Sequence, residues 1–140
     1  MKIRDLECVL LVDDDEATNF INKRMVALSD LKVQVEVTSN GQEALDYLTY
    51  SGIYKNRNLR QPGIIFLDIN MPRMNGWEFL NEYKNLPPHQ KSKIVIGMLT
   101  TSMNPDDETK AKQFSEINMF FHKPLTIENI TGIVDNYFSN

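Results

Sequence analysis

The chain has 140 residues, 41% apolar and 24% charged, with a net charge of −4. That size suits one domain with its own core, and the acidic balance argues against nucleic acid or an anionic membrane surface as a partner. Its single cysteine, Cys8, excludes an internal disulfide framework. No apolar run reaches the length of a membrane span, and the charge-broken start MKIRDLECVL is unlike a signal peptide. One cytoplasmic domain over residues 1–140, with no output domain attached, is expected.

The run Cys8 to Val12 reads as a buried strand ending in Asp13-Asp14-Asp15-Glu16. Helical spacing follows, with Ala17, Phe20, Ile21, Met25 and Leu28 on one face and Asn22, Lys23 and Arg24 between them. Val33, Val35 and Val37 alternate with polar residues, the pattern of a half-buried strand near an edge. Asn40-Gly41 opens a helix with Ala44, Leu45 and Leu48 inward. Ser51 to Pro62 is polar and basic (Lys55, Arg57, Arg60) and reads as a long, solvated surface loop. Ile64 to Leu67 is a continuous apolar run, suited to a strand covered on both faces, and pushes Asp68 out at its end. Pro72 stops the strand, Asn75-Gly76 is a turn signal, and a helix from Trp77 stops near Pro87-Pro88. Ile94 to Leu99 is a strand ending at Thr100-Thr101-Ser102. Asn104-Pro105 followed by three acids starts a helix expected over residues 105–115, with few apolar residues (Ala111, Phe114) to hold it. Met119 to Phe121 leads to His122-Lys123-Pro124. Thr126 starts a last helix with Ile127, Ile130, Ile133, Val134 and Tyr137 on one face. Five strands alternating with five helices, joined by right-handed crossovers, predict an α/β fold with a doubly wound parallel sheet.

In a parallel sheet the strand ends Asp13/Asp14, Asp68, Thr100 and Lys123 face the same way, and neighbouring strands would bring them to one cleft. Two carboxylates 4 Å apart repel by ~4 kcal/mol at an effective dielectric near 20, so such a cluster calls for a cation. Carboxylate and carbonyl oxygens suit Mg²⁺. Lys123 supplies a second positive charge, Thr100 a hydroxyl donor, and Asp68 a nucleophile able to form an aspartyl phosphate. His89, His122 and the seven methionines read as ordinary surface and packing residues.

The motifs DDD after the first strand, DINMPRMNG after the third, LTTS after the fourth and KPL after the fifth resemble the receiver domain of bacterial response regulators. The likeness runs from about Cys8 to Phe138. It implies a flavodoxin-like fold of strand order 2-1-3-4-5. It implies that Asp68 accepts a phosphoryl group from a phosphohistidine of a sensor histidine kinase or histidine phosphotransfer protein. It also implies that Asp14 ligates Mg²⁺ directly, that Asp13 holds it through water and that Asn70 binds it through its backbone carbonyl. Thr100 resembles the hydroxyl that turns toward the phosphoryl group, Lys123 the cation that pairs with it, and Phe120 the aromatic switch. The Lys123–Pro124 bond is often cis in the family. A downstream protein docking on the last two helices and the strand between them, or a second copy of the chain, would read the switch. Thr101 is larger than usual, Glu116 stands where a glycine is frequent, and the basic loop is an insertion. Two alternatives use the same residues: a Mg²⁺-dependent phosphohydrolase, for which Asn70 replaces the usual second acid, and a scaffold indifferent to phosphorylation.

Overall fold

A computed structural model describes residues 3–91 and 94–138; Met1 and Lys2, at the start of the segment read as unlike a signal peptide, lie outside them. The unalternating apolar runs become inner strands. β1 (Cys8–Val12), β3 (Ile64–Asp68) and β4 (Val95–Thr100) are buried along their whole length, as strands covered on both faces must be. The alternating β2 (Gln34–Thr38) lies at one edge, and β5 (Ile117–His122) at the other. Every pairing is parallel and the order is β2-β1-β3-β4-β5, as expected. α1 (Glu16–Leu28) and α5 (Ile127–Tyr137) cover one face; α2 (Gly41–Thr49), α3 (Gly76–Tyr83) and α4 (Pro105–Ala111) cover the other. Cys8 is a buried small residue, as read from its apolar run, and burial pushes its thiol up to about 11.

Several expectations need correction. Of the apolar stripe of α1, Met25 packs partly buried on the core, but the rest faces away from it. Asn19, Asn22 and Val26 are buried instead, while Phe20 is 69% exposed and Ile21 and Leu28 also face solvent. The helix start fixes this rotation. Asp15 caps α1 by accepting from the Thr18 N–H, and Asn19 reaches back to the Asp13 carbonyl. At 100° per residue, turning Asn19 inward carries Asn22 and Val26 with it and turns Phe20 and Ile21 out.

The loop over residues 51–62 is not simply solvated. Gly52–Tyr54 forms a single 3₁₀ turn, Tyr54 is buried edge-on against Tyr47 at 5.1 Å, and Leu59 packs on the core. Tyr47 donates to the Arg60 carbonyl at 2.8 Å and Tyr50 to the Leu59 carbonyl at 3.3 Å. Tyrosines bury an apolar body and offer a polar tip, so they can strap a loop whose carbonyls lack ladder partners. Lys55 and Arg57 stay exposed, as read.

α4 ends at Ala111, short of the expected 115, because only Ala111 of the helix is buried. The segment beyond it is tied to α3: Phe114 stacks on Trp77 with centroids 5.7 Å apart, and the Lys110 ammonium of α4 sits 4.9 Å from the same ring. In β5 the strand is longer than expected, and Asn118 fills a register shift by accepting from the Ile96 N–H. α5 buries Ile130, Ile133 and Val134, whereas Ile127 and Tyr137 at its ends are exposed.

Candidate functional site: an acidic centre at the carboxyl edge of the sheet

The register places the ends of β1, β3, β4 and β5 side by side: Val12 pairs with Leu67, Asp68 with Leu99 and Thr100 with His122. Asp13 is therefore the first residue past β1 and Asp68 the last residue of the adjacent β3, and both are themselves buried. The Asp13 N–H continues the ladder to the Thr38 carbonyl, and its Oδ1 accepts from the Asp15 N–H at 2.9 Å. Asp68 Oδ1 accepts from the Ile69 N–H at 2.9 Å. Gly76 lies against the Asp68 backbone, where a Cβ would come within 2.4 Å of the Asp68 carbonyl oxygen; the close approach requires glycine. Asn75, read as a turn residue, also forms a capping box with Glu78 that starts α3.

Lys123 reaches across from the end of β5. Its ammonium lies 2.6 Å from Asp13 Oδ2 and 3.2 Å from Asp68 Oδ1, and its backbone N–H donates to the Thr100 carbonyl at 2.7 Å. The Lys123–Pro124 bond is cis. Asp14 is exposed, yet its carboxylate joins those of Asp13 and Asp68 with one oxygen of each within 4.8 Å of the others. Thr100 is fully buried, and its hydroxyl accepts from the Ser102 N–H at 2.9 Å. Thr101 and Asn70 are exposed at the rim. Phe120 is half-buried on the core of the α2–α3 face, its ring edge-on to His122 at 5.7 Å. Asp13, Asp14, Asp68 and Lys123 are thus brought into one centre, with Thr100 beside it and Phe120 farther along β5.

Burial, and then the charge of Asp13, push the Asp68 carboxyl above its ordinary value, against the pull of Lys123 and the Ile69 N–H. Burial pulls Lys123 down, but its bond to Asp13 and the charge of Asp68 outweigh that and hold its ammonium above the ordinary range. One ammonium against three carboxylates leaves two negative charges uncompensated among these four side chains. An all-oxygen donor set with that charge fits a hard divalent cation. The motif reading missed Asn19, which anchors the Asp13 carbonyl at 2.9 Å. Its signal was an amide at helical spacing from buried Val26, hidden by a more apolar neighbouring face.

The family model for the response regulator receiver domain matches residues 9–135. Among curated relatives, the response regulator Rcp1 of Synechocystis sp. is 28% identical and aligns over 90% of this chain and 82% of its own length. The Mn²⁺-bound form of Rcp1 superposes with a TM-score of 0.77 at 26% identity, covering 96% of both chains. The phosphorylated cyanobacterial phytochrome response regulator RcpA superposes with a TM-score of 0.76 at 28% identity, covering 94% of each. A sheet of this order, with an acidic centre at its carboxyl edge and a family match over nearly its whole length, identifies the chain as a member of the response regulator receiver domain family of two-component signalling.

Proposed function

We propose that the chain is a phosphorylation-controlled switch whose phosphoacceptor is Asp68. The observation that carries this reading is the convergence of Asp13, Asp14 and Asp68 beneath the Lys123 ammonium. An Asp68 carboxylate oxygen forms the new bond to phosphorus, the phosphorus–nitrogen bond of a phosphohistidine donor breaks, and the imidazole nitrogen keeps the electron pair. Asp13, Asp14, Asp68 and the Asn70 backbone carbonyl would hold Mg²⁺, which supplies positive charge against the incoming phosphoryl oxygens. Lys123 exchanges its contact with Asp68 for a phosphoryl oxygen. The Thr100 hydroxyl, which accepts from Ser102, keeps its own O–H free to donate. These gains distinguish the phosphorylated state and bias Phe120 and the lightly held α4 toward a second arrangement.

The proposed donor is a sensor histidine kinase or a histidine phosphotransfer protein in the cytoplasm. The outward Phe20, Ile21 and Leu28 of α1, a helix that starts beside the acidic centre, offer it an apolar footing. A downstream protein or a second copy of the chain would read the α4–β5–α5 face. The chain acts on no external substrate in this reading; Asn70, two residues past Asp68, lacks the acid a phosphohydrolase would use. The test is intact mass after incubation with Mg²⁺ and acetyl phosphate. Wild type should gain one phosphoryl group, lost with chelator and absent in Asp68→Ala. A gain that survives in Asp68→Ala would move the acceptor elsewhere.

A further inference from the structure

The acidic loop is anchored from inside the fold by Asn19. This residue lies on the buried face of α1 and is 8% exposed. Its side-chain N–H donates to the Asp13 carbonyl, and its backbone N–H donates to the Asp15 carbonyl at 3.0 Å. With the Asp13 N–H bonded to Thr38 of β2, residues 13–15 are pinned between an edge strand and a helix, at the point where Asp13 and Asp14 present their carboxylates. The same amide carries a defect: Asn19 Oδ1 is buried without a partner. Leucine keeps the branched shape with bulkier methyl groups, would extend the apolar layer begun by Val26, and would remove that buried orphan acceptor. What leucine cannot do is donate to Asp13.

We propose that Asn19 is a positioning residue for the cation-binding acids: by holding the Asp13 carbonyl it fixes the backbone of residues 13–15, and with it the spacing of Asp13 and Asp14 relative to Asp68. This rests on reading the cluster as a divalent-cation site. Asn22 provides an internal control. It is on the same face three residues on, 2% exposed, and its Oδ1 is likewise buried without a partner. It lies one turn farther from the acidic loop.

Wild type, Asn19→Leu and Asn22→Leu would be compared by calorimetric titration with Mg²⁺, by the rate of phosphorylation by acetyl phosphate across Mg²⁺ concentrations, and by thermal melting. Asn19→Leu is expected to weaken Mg²⁺ binding about tenfold, the lower end for residues that orient metal ligands. It should slow phosphorylation at low Mg²⁺ but not at saturation, with melting used to show that the variant is folded under the conditions of the titration. Asn22→Leu is expected to keep wild-type affinity. Wild-type affinity in Asn19→Leu overturns the proposal, as does an equal loss in both variants, which would mark a general disturbance of α1. If Asn19→Leu does not fold, Asn19→Ala carries the same binding and rate expectations. A wild-type chain that binds no Mg²⁺ overturns the cation reading itself, a result distinct from the variant's failing to differ.

Discussion

At the residue scale, the buried ion triad sets how stability responds to pH. The Asp68 carboxyl titrates above its ordinary value of 3.8 in the folded chain, so the folded state keeps a proton the unfolded state has already released. Its contribution is complete below the ordinary value and is lost as pH rises through the raised one. Lys123 behaves alike on the alkaline side: its contribution is complete below 10.5 and lost as pH rises through its higher folded value. Both slopes therefore run toward lower stability with rising pH in metal-free solution. Asp68→Asn should remove the first slope. At neutral pH without metal it should raise stability by about 0.5–2 kcal/mol, the range common for single stabilising changes, and the gain should shrink as Mg²⁺ is added. Melting curves decide it, and an Asn variant that melts below wild type would contradict the account. The placement of Asp68 and Thr100 was legible because each terminates an apolar run, and that of Lys123 because only His122 separates it from another. Asn19 was not, because its role depends on a helix rotation that spacing alone left open.

At the element scale, caps were read better than faces. Asn40, Asn104 and Thr126 start their helices where the sequence placed them, each accepting from a backbone N–H. The outward face of α1 was misread because hydrophobicity alone assigned it inward, whereas the bond from Asn19 to Asp13 decided the rotation. The two assignments predict different mutants. Phe20→Ser should change stability by no more than about 0.5 kcal/mol, as surface changes do, while slowing phosphotransfer from a cognate kinase and leaving acetyl phosphate reactivity intact. Leu48→Ala, in the fully buried face of α2, should cost about 2–5 kcal/mol. Chemical denaturation of the two variants checks the stabilities, and a multi-kcal/mol loss in Phe20→Ser would return that ring to the core. The loop over residues 51–62 was misjudged for a related reason: polar composition hid the tyrosines that anchor it.

At the scale of the whole molecule, two apolar layers lie on the two faces of one sheet, and the charged centre sits at one end of that sheet. The alternation of strands and helices was enough to predict this architecture; the strand order came from the resemblance, and the structure bears it out. Because a cation would relieve repulsion present only in the folded arrangement, Mg²⁺ should stabilise the entire domain by mass action. The expected gain is about 2.7 kcal/mol at a hundredfold excess over its dissociation constant. A melting temperature that does not move with Mg²⁺ would count against the site. Among the described residues, no helix is long and apolar enough to cross a membrane.

The junction of α3 and α4 gives the chain its own optical probe. Its one tryptophan, Trp77, comes directly after the glycine packed against Asp68 and carries Phe114 and the Lys110 ammonium on its ring. A shift of α4 and the segment after it away from α3, as the proposed switch entails, strips a charge and an aromatic neighbour from that indole. Intrinsic emission should therefore track activation in real time on unlabelled protein, and Lys110→Met should alter the resting signal without touching the chemistry at Asp68.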